Sequence, residues 1–441
     1  MNYEHVKTGL LIGLVGLSII LTWQLWTFQP DINFLGESEE LERTSLISEE
    51  VRLSDVIRPE KLITHVDGQT AMIPRHTDAF DDFFDQLLQA ELDEGDMLAT
   101  GPFPKPGVSA GIEVIFPAAV PTDTLLAMFE VDREVFNLPT SEVDRLYVYI
   151  DNNQDEVAMQ LLFGEDERVV EVETSFSANE FQEWMRGDYI SVTSVSQGPN
   201  HTQLHQHVYV PVEPVEVERM TYTTSPIDVN YFINELFNEP NSVRANLADQ
   251  NESFTDGNRI IQLRNDGEFM DYNNPLFSEN QERSSRHIVQ NSFDFINSHG
   301  GWSDPYILSD WAVADVREEA EYMLHVDGTP VISYEGQSIM SLKVGRIGSQ
   351  IVSYERPLFD LDNQPINAIQ RVELPSGEAV LDRLNEQEYF DPNRLEKVMV
   401  GYEMNKQNVS LVTLEPYWYV LYDGQWQKVT FNDGASEEGM Q

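Results

Sequence analysis

Arg145–Thr174 reads RLYVYIDNNQDEVAMQLLFGEDERVVEVET, and its patterning sets the fold class. Leu146–Ile150, Val157–Phe163 and Arg168–Thr174 are rich in β-branched, aromatic and aliphatic residues, and a polar turn at Asp151–Glu156 parts the first two. Runs of this length and make-up predict an antiparallel meander. Helical signals flank it on both sides, so the predicted class is α+β, with antiparallel sheets and packed helices.

Upstream, Leu62–Val66 predicts a strand ending in an Asp67-Gly68 turn, and Ile112–Phe116 another. Thr77–Leu92 predicts an amphipathic helix: Phe80, Phe83, Phe84, Leu87 and Leu88 share one face, the acids Asp81, Asp82 and Asp85 the other, and Thr77 is placed to cap it. A short helix is expected around Asp123–Phe129. Downstream come a helix at Ala178–Met185 and strands near Tyr189–Val195 and His205–Val212. Pro211 and Pro214 mark a linker, which closes an N-terminal domain over 51–212.

A central domain over 213–338 is expected to open with a helix at Pro226–Phe237, with proline at an early position where its missing N–H costs little. Asn265-Asp266-Gly267 signals a hairpin, Ser285–Ser298 a second helix, and Asp327-Gly328 a further turn. A C-terminal domain over 339–441 follows, with paired strands at Ser341–Tyr354, a helix capped by Ser376, and strands from Val398 through an Asp423-Gly424 turn.

The N-terminus is of another kind. Thr8–Pro30 is an uncharged run, TGLLIGLVGLSIILTWQLWTFQP, between Lys7 and Asp31. As a helix it would be roughly 34 Å long, against a hydrocarbon core of about 30 Å. It has no polar face, as a buried core helix would, and its bulky outer end lacks the small residues of a cleavage site, so it predicts a retained transmembrane anchor. Residues 1–7 carry Lys7, whereas the stretch 31–50 is an acidic tether. The N-terminus is therefore expected in the cytoplasm and the bulk outside the cell membrane, with Trp23 and Trp26 as interface anchors in the lipid bilayer. Gly9, Gly13 and Gly16 form one smooth strip, and Ser18 and Thr22 lie nearly opposite. Small residues admit a second helix and hydroxyls bond across to it at about 0.6–2 kcal/mol, so both faces are candidate partner-binding sites.

Composition narrows the function. The chain has 441 residues, no cysteine and a formal charge of −49. Disulfides, thiolate metal sites and a cysteine nucleophile are excluded. Nucleic acid is excluded as a partner, because phosphate-backbone binding runs on lysine and arginine. Acidity spread over every segment fits an outer-surface protein in an alkaline or salty setting.

No motif supports catalysis, a cofactor or a metal. Gly107-Val-Ser109-Ala-Gly111 imitates a nucleophile elbow, but prolines precede it and a strand follows, where the elbow needs a strand and then a helix. His201, His205 and His207 have no acid close in sequence. Asp151, Asn153 and Asp155 start like a calcium loop, but its sixth position is Glu156 and its twelfth Leu162.

Thr22-Trp23-Gln24-Leu25-Trp26-Thr27-Phe28-Gln29-Pro30 at the end of the span, Asp55-Val56-Ile57-Arg58-Pro59, and Pro416-Tyr417-Trp418 near the C-terminus resemble the YycH family in residue and order. These are membrane-anchored regulators of the WalK (YycG) sensor histidine kinase in Bacillus and its relatives. The resemblance implies a three-domain ectodomain, whose later part is similar to that of a YycI companion, and no catalytic residue. It also implies a membrane complex with companion and kinase that modulates, in Bacillus-type members restrains, two-component signalling over cell-wall metabolism. The alternatives are a membrane-tethered extracytoplasmic cell-wall enzyme and a ligand-binding sensor domain.

Overall fold

The computed structural model describes residues 13–18, 33–34, 51–93, 101–131, 138, 141–151, 156–164, 168–187, 189–196, 207–248, 251–275, 284–336, 339–366 and 370–431. Residues 13–18 are helical (α1), and Asn33–Phe34 is a short strand (β1). Among the described residues the α-helices that follow are α2 (Leu53–Val56), α3 (Asp78–Gln89), α4 (Thr122–Met128), α5 (Ala178–Trp184), α6 (Val229–Leu236), α7 (Ile288–Ser298) and α8 (Gly377–Asn385).

The first sheet uses β2 (Lys61–Val66), β3 (Gln69–Ile73), β4 (Leu92–Asp93), β5 (Ala110–Pro121), β6 (Glu142–Asp151), β7 (Glu156–Phe163), β8 (Arg168–Thr174), β9 (Ile190–Ser196) and β10 (His207–Pro211). Its order is β10-β9-β3-β2-β5-β6-β7-β8-β4, antiparallel throughout. The expected meander is β6-β7-β8, with Tyr147 opposite Gln160 and Gln160 opposite Glu171. On one face, α3 buries Phe80, Phe83, Phe84 and Leu87 in the same apolar cluster as Leu62, Val114, Leu146 and Val148, with Phe84 edge-on to Phe116. Each of these aromatic or aliphatic side chains contributes about 1.5–3 kcal/mol by leaving water.

The second sheet holds β1 and the remaining strands: β11 (Val215–Pro226), β12 (Arg244–Ala248), β13 (Asn251–Thr255), β14 (Ile260–Arg264), β15 (Phe269–Asn273), β16 (Tyr306–Val313), β17 (Glu318–Val326) and β18 (Thr329–Tyr334). It continues with β19 (Ser341–Ile347), β20 (Gln350–Pro357), β21 (Phe359–Leu361), β22 (Gln370–Leu374), β23 (Leu395–Asn408), β24 (Leu411–Tyr422) and β25 (Gln425–Val429). Its spine runs β1-β12-β13-β14-β15-β20-β19-β17-β18-β23-β24-β11-β21, and β18–β23 is a parallel pairing. The β19–β20 hairpin lies between β15 and β17, so strands on either side of residue 338 share one sheet.

Tight turns fall where backbone chemistry demands them. Asp67-Gly68 and Asp327-Gly328 take φ of 48° and 83°, and of 47° and 73°. This is the left-handed pair that a two-residue hairpin needs and that glycine accepts without strain. Three local expectations are corrected. The linker expected at Pro211 and Pro214 shrinks to residues 212–214: β10 ends at Pro211 and β11 starts at Val215, pairing with β22 and β24. Pro226 therefore ends that strand, and α6 begins at Val229, capped by Asp228 accepting the Asn230 N–H at 2.9 Å. The Thr77 hydroxyl donates to the Pro74 carbonyl at 2.6 Å and caps no helix N–H.

Candidate interaction site

The N-terminal segment is described only over its middle. A Cβ added at Gly13 or Gly16 would meet nothing within 4 Å, and Leu14, Val15 and Leu17 are 57%, 52% and 53% exposed. Ser18 lies in the same helical stretch. Gly9, Thr22, Trp23 and Trp26 lie outside the described residues, so neither face is seen whole. Among the described residues, no helix is long and apolar enough to cross a membrane. Exposed Leu14, Val15 and Leu17 on one short helix make an apolar surface of the kind that mediates contact with lipid or another protein.

Farther along the chain, two polar centres stand out. The first lies where the sheets meet. Buried apolar side chains of both sheets form one connected cluster, and α8 and β23 pack a second against β10. Glu60, just ahead of β2, sits at the seam with its backbone N–H on the Ile115 carbonyl at 2.6 Å. Its carboxylate lies 3.4 Å from Lys61 Nζ and 3.5 Å from Lys397 Nζ of the other sheet. The two lysines cross over: Lys61 donates to the Val398 carbonyl at 3.3 Å, and Lys397 donates to the Pro117 carbonyl. Burial alone would raise the Glu60 carboxyl, but Lys397 and Lys61 outweigh it and hold the pKa at about 2. Nearby, Trp311 of β16 donates its indole N–H to the Ala119 carbonyl at 2.7 Å, with its ring edge-on to His287.

The second centre covers the other face of the first sheet. Glu113, opposite Ile63 and Tyr147 in neighbouring strands, is 1% exposed. Arg145 donates to one carboxylate oxygen at 2.5 Å; the Tyr209 hydroxyl donates to the other at 2.7 Å, and His65 Nε2 stands 3.2 Å from it. Burial opposes the charge, yet His65, Arg145 and Tyr209 hold the carboxyl at about 2. A general base needs a pKa near the working pH, so Glu113 is a poor proton acceptor at neutrality.

The motif residues have structural positions. Val56 and Ile57 are buried, and Arg58 reaches Asp81 at 2.7 Å and Asp85 at 3.2 Å, tying the chain to α3. Trp418 donates to the Pro375 carbonyl at 2.9 Å. Ser109 immediately precedes β5, so the nucleophile-elbow geometry does not form. Among the described residues no group of His, Cys, Asp and Glu could hold a metal; His201, His205, Asn153 and Asp155 lie outside them. Sequence reasoning passed over Glu60, Lys61 and Lys397. Their one legible signal was the rarity of lysine in so acidic a chain.

Comparison with known proteins places this architecture. Residues 4–187 match the family description "YycH protein, N-terminal domain", and residues 205–435 match "YycH protein, C-terminal domain". A relative from Bacillus subtilis (strain 168), the two-component system WalR/WalK regulatory protein YycH, is 22% identical over 462 residues, covering 100% of this chain and 99% of that one. The crystal structure of YycH from Bacillus subtilis superposes with a TM-score of 0.70 at 17% identity, over 87% of this chain and 98% of that one. Two matched domains, an end-to-end relative and a common fold agree: the chain belongs to the YycH family.

Proposed function

We propose that this chain is a non-catalytic regulator of two-component signalling, anchored in the cell membrane by residues 8–30 with its bulk outside. The observation that carries the reading is end-to-end similarity to a WalR/WalK regulatory protein. The partners are a WalK/YycG-type sensor histidine kinase and a YycI-like companion. The Gly9, Gly13 and Gly16 strip packs one partner helix, and the Ser18/Thr22 side bonds another. The open surroundings of Gly13 and Gly16 support this, since among the described residues nothing lies within 4 Å of a Cβ added at either. A differential affinity of about 1–3 kcal/mol between two kinase states gives 5- to 150-fold control, so one such helix contact suffices. The sign is restraint.

Gly13→Leu fills the strip with a branched side chain. Co-purification of the kinase or companion from native membranes is expected to fall about tenfold, the effect of losing about 1.4 kcal/mol. Replacement of residues 8–30 by an unrelated span is expected to abolish it. Unchanged recovery of both partners with both variants would overturn the helix-contact mechanism.

A further inference from the structure

We propose that the seam between the two sheets is a binding site for a small oxyanion, a phosphate or carboxylate group, held by Arg75 beside the cluster of Glu60, Lys61 and Lys397. The chain has 76 acidic and 27 basic residues, yet here the balance inverts. Lys61 and Lys397 lie 3.4 and 3.5 Å from one carboxylate, Glu60, and Arg75 acts on it from beyond ion-pair distance. Asp81 also acts on Arg75, but it is engaged by Arg58 at 2.7 Å. His325, buried beside them, is held neutral by burial and by Arg75, with its Nδ1 donating to the Met323 carbonyl at 3.0 Å. The cluster thus carries a surplus of positive charge in a place partly shielded from water.

The interlock of the sheets accounts for the lysines but not for Arg75. Its aliphatic stem lies against the Asp327-Gly328 turn, so close that a Cβ on Gly328 would fall 2.7 Å from its Cγ. Its guanidinium carbon is 5.8 Å from the Phe80 ring centre. Among the described residues it donates no hydrogen bond and forms no ion pair. Arg58 and Arg145, by contrast, each meet a carboxylate, and the buried Arg356 has the Gly301 and Pro357 carbonyls and the Tyr354 hydroxyl. A planar fork of donors with no hydrogen-bonded acceptor among the described residues, acted on by the same Glu60 carboxylate that the two lysines hold, is matched by the paired oxygens of a phosphate or carboxylate. Such a ligand would touch residues of both sheets and tighten the seam. The inference stands whether or not the chain regulates a kinase.

The test uses the full-length chain in a neutral detergent, unfolded by heat in sodium phosphate, sodium acetate or sodium chloride at equal ionic strength and pH. Phosphate or acetate is expected to raise the Tm above its value in chloride by about 2–4 °C. Arg75→Gln is expected to remove that excess. Lys105→Gln, a cation lost from the far face of the first sheet, is expected to keep it. Equilibrium dialysis of labelled phosphate against the unaltered chain gives a readout that needs no variant to fold, with saturable uptake near one per chain expected. No excess over chloride, an equal excess in Arg75→Gln, loss of the excess in Lys105→Gln, or no saturable uptake would each overturn the site.

Discussion

Asp304 is a carboxyl that the fold compensates poorly. It accepts the Leu361 backbone N–H at 3.1 Å, but burial pushes its pKa up from 3.8 to about 7, with Asp360 adding repulsion and Arg356 offsetting only part. The fold therefore prefers the protonated acid. Its contribution is greatest below about pH 4, declines as pH rises to about 7, and is flat above, where both folded and unfolded chains are ionised. Asp304→Asn can still accept the Leu361 N–H and carries no charge. Denaturant unfolding is expected to show it more stable than the unaltered chain at pH 8, on the order of 2 kcal/mol, and level with it near pH 4. A constant difference across that range would show that its ionisation is not what costs stability. No inspection of sequence could single out Asp304, because what sets it apart is its burial by strands that lie elsewhere in the chain.

The elements that meet at the seam make the complementary case. Glu60 is held ionised, so its stabilising contribution is present above about pH 4.5 and is lost as pH falls toward 2. Glu60→Gln leaves two partly buried ammonium groups without their carboxylate and is expected to cost about 3 kcal/mol at pH 7 by denaturant unfolding. A cost below about 0.5 kcal/mol would mark the ion cluster as no more than a surface pair. The seam was illegible in sequence because Glu60 and Lys397 are far apart in the chain. What was legible is local. The meander β6-β7-β8 and the turns at Asp67-Gly68 and Asp327-Gly328 are fixed by alternation and by backbone conformation within a few residues. Likewise α3 follows from the spacing of its four buried residues. The start of β11 was not read as a strand because Val215–Arg219 follows two prolines closely and pairs with β22, from much later in the chain. The glycine strip, although plain in sequence, is described only at Gly13 and Gly16.

The described residues beyond 51 form two sheets joined by a shared apolar cluster and an ionic interlock, and an apolar stretch of sequence precedes them. A body packed in this way moves as a unit, because a close-packed interior transmits displacement rather than absorbing it. Under the proposed function, coupling between this body and residues 8–30 is what a regulator needs and a tethered enzyme does not. The measurement that bears on this is autophosphorylation of a WalK-type kinase reconstituted in lipid nanodiscs with its YycI-like companion, with and without the full-length chain. Addition of the chain is expected to slow autophosphorylation about 5-fold or more, and the chain with residues 8–30 exchanged for an unrelated span is expected to have no effect. An unchanged rate at saturating chain, or equal slowing by the exchanged span, would contradict the account.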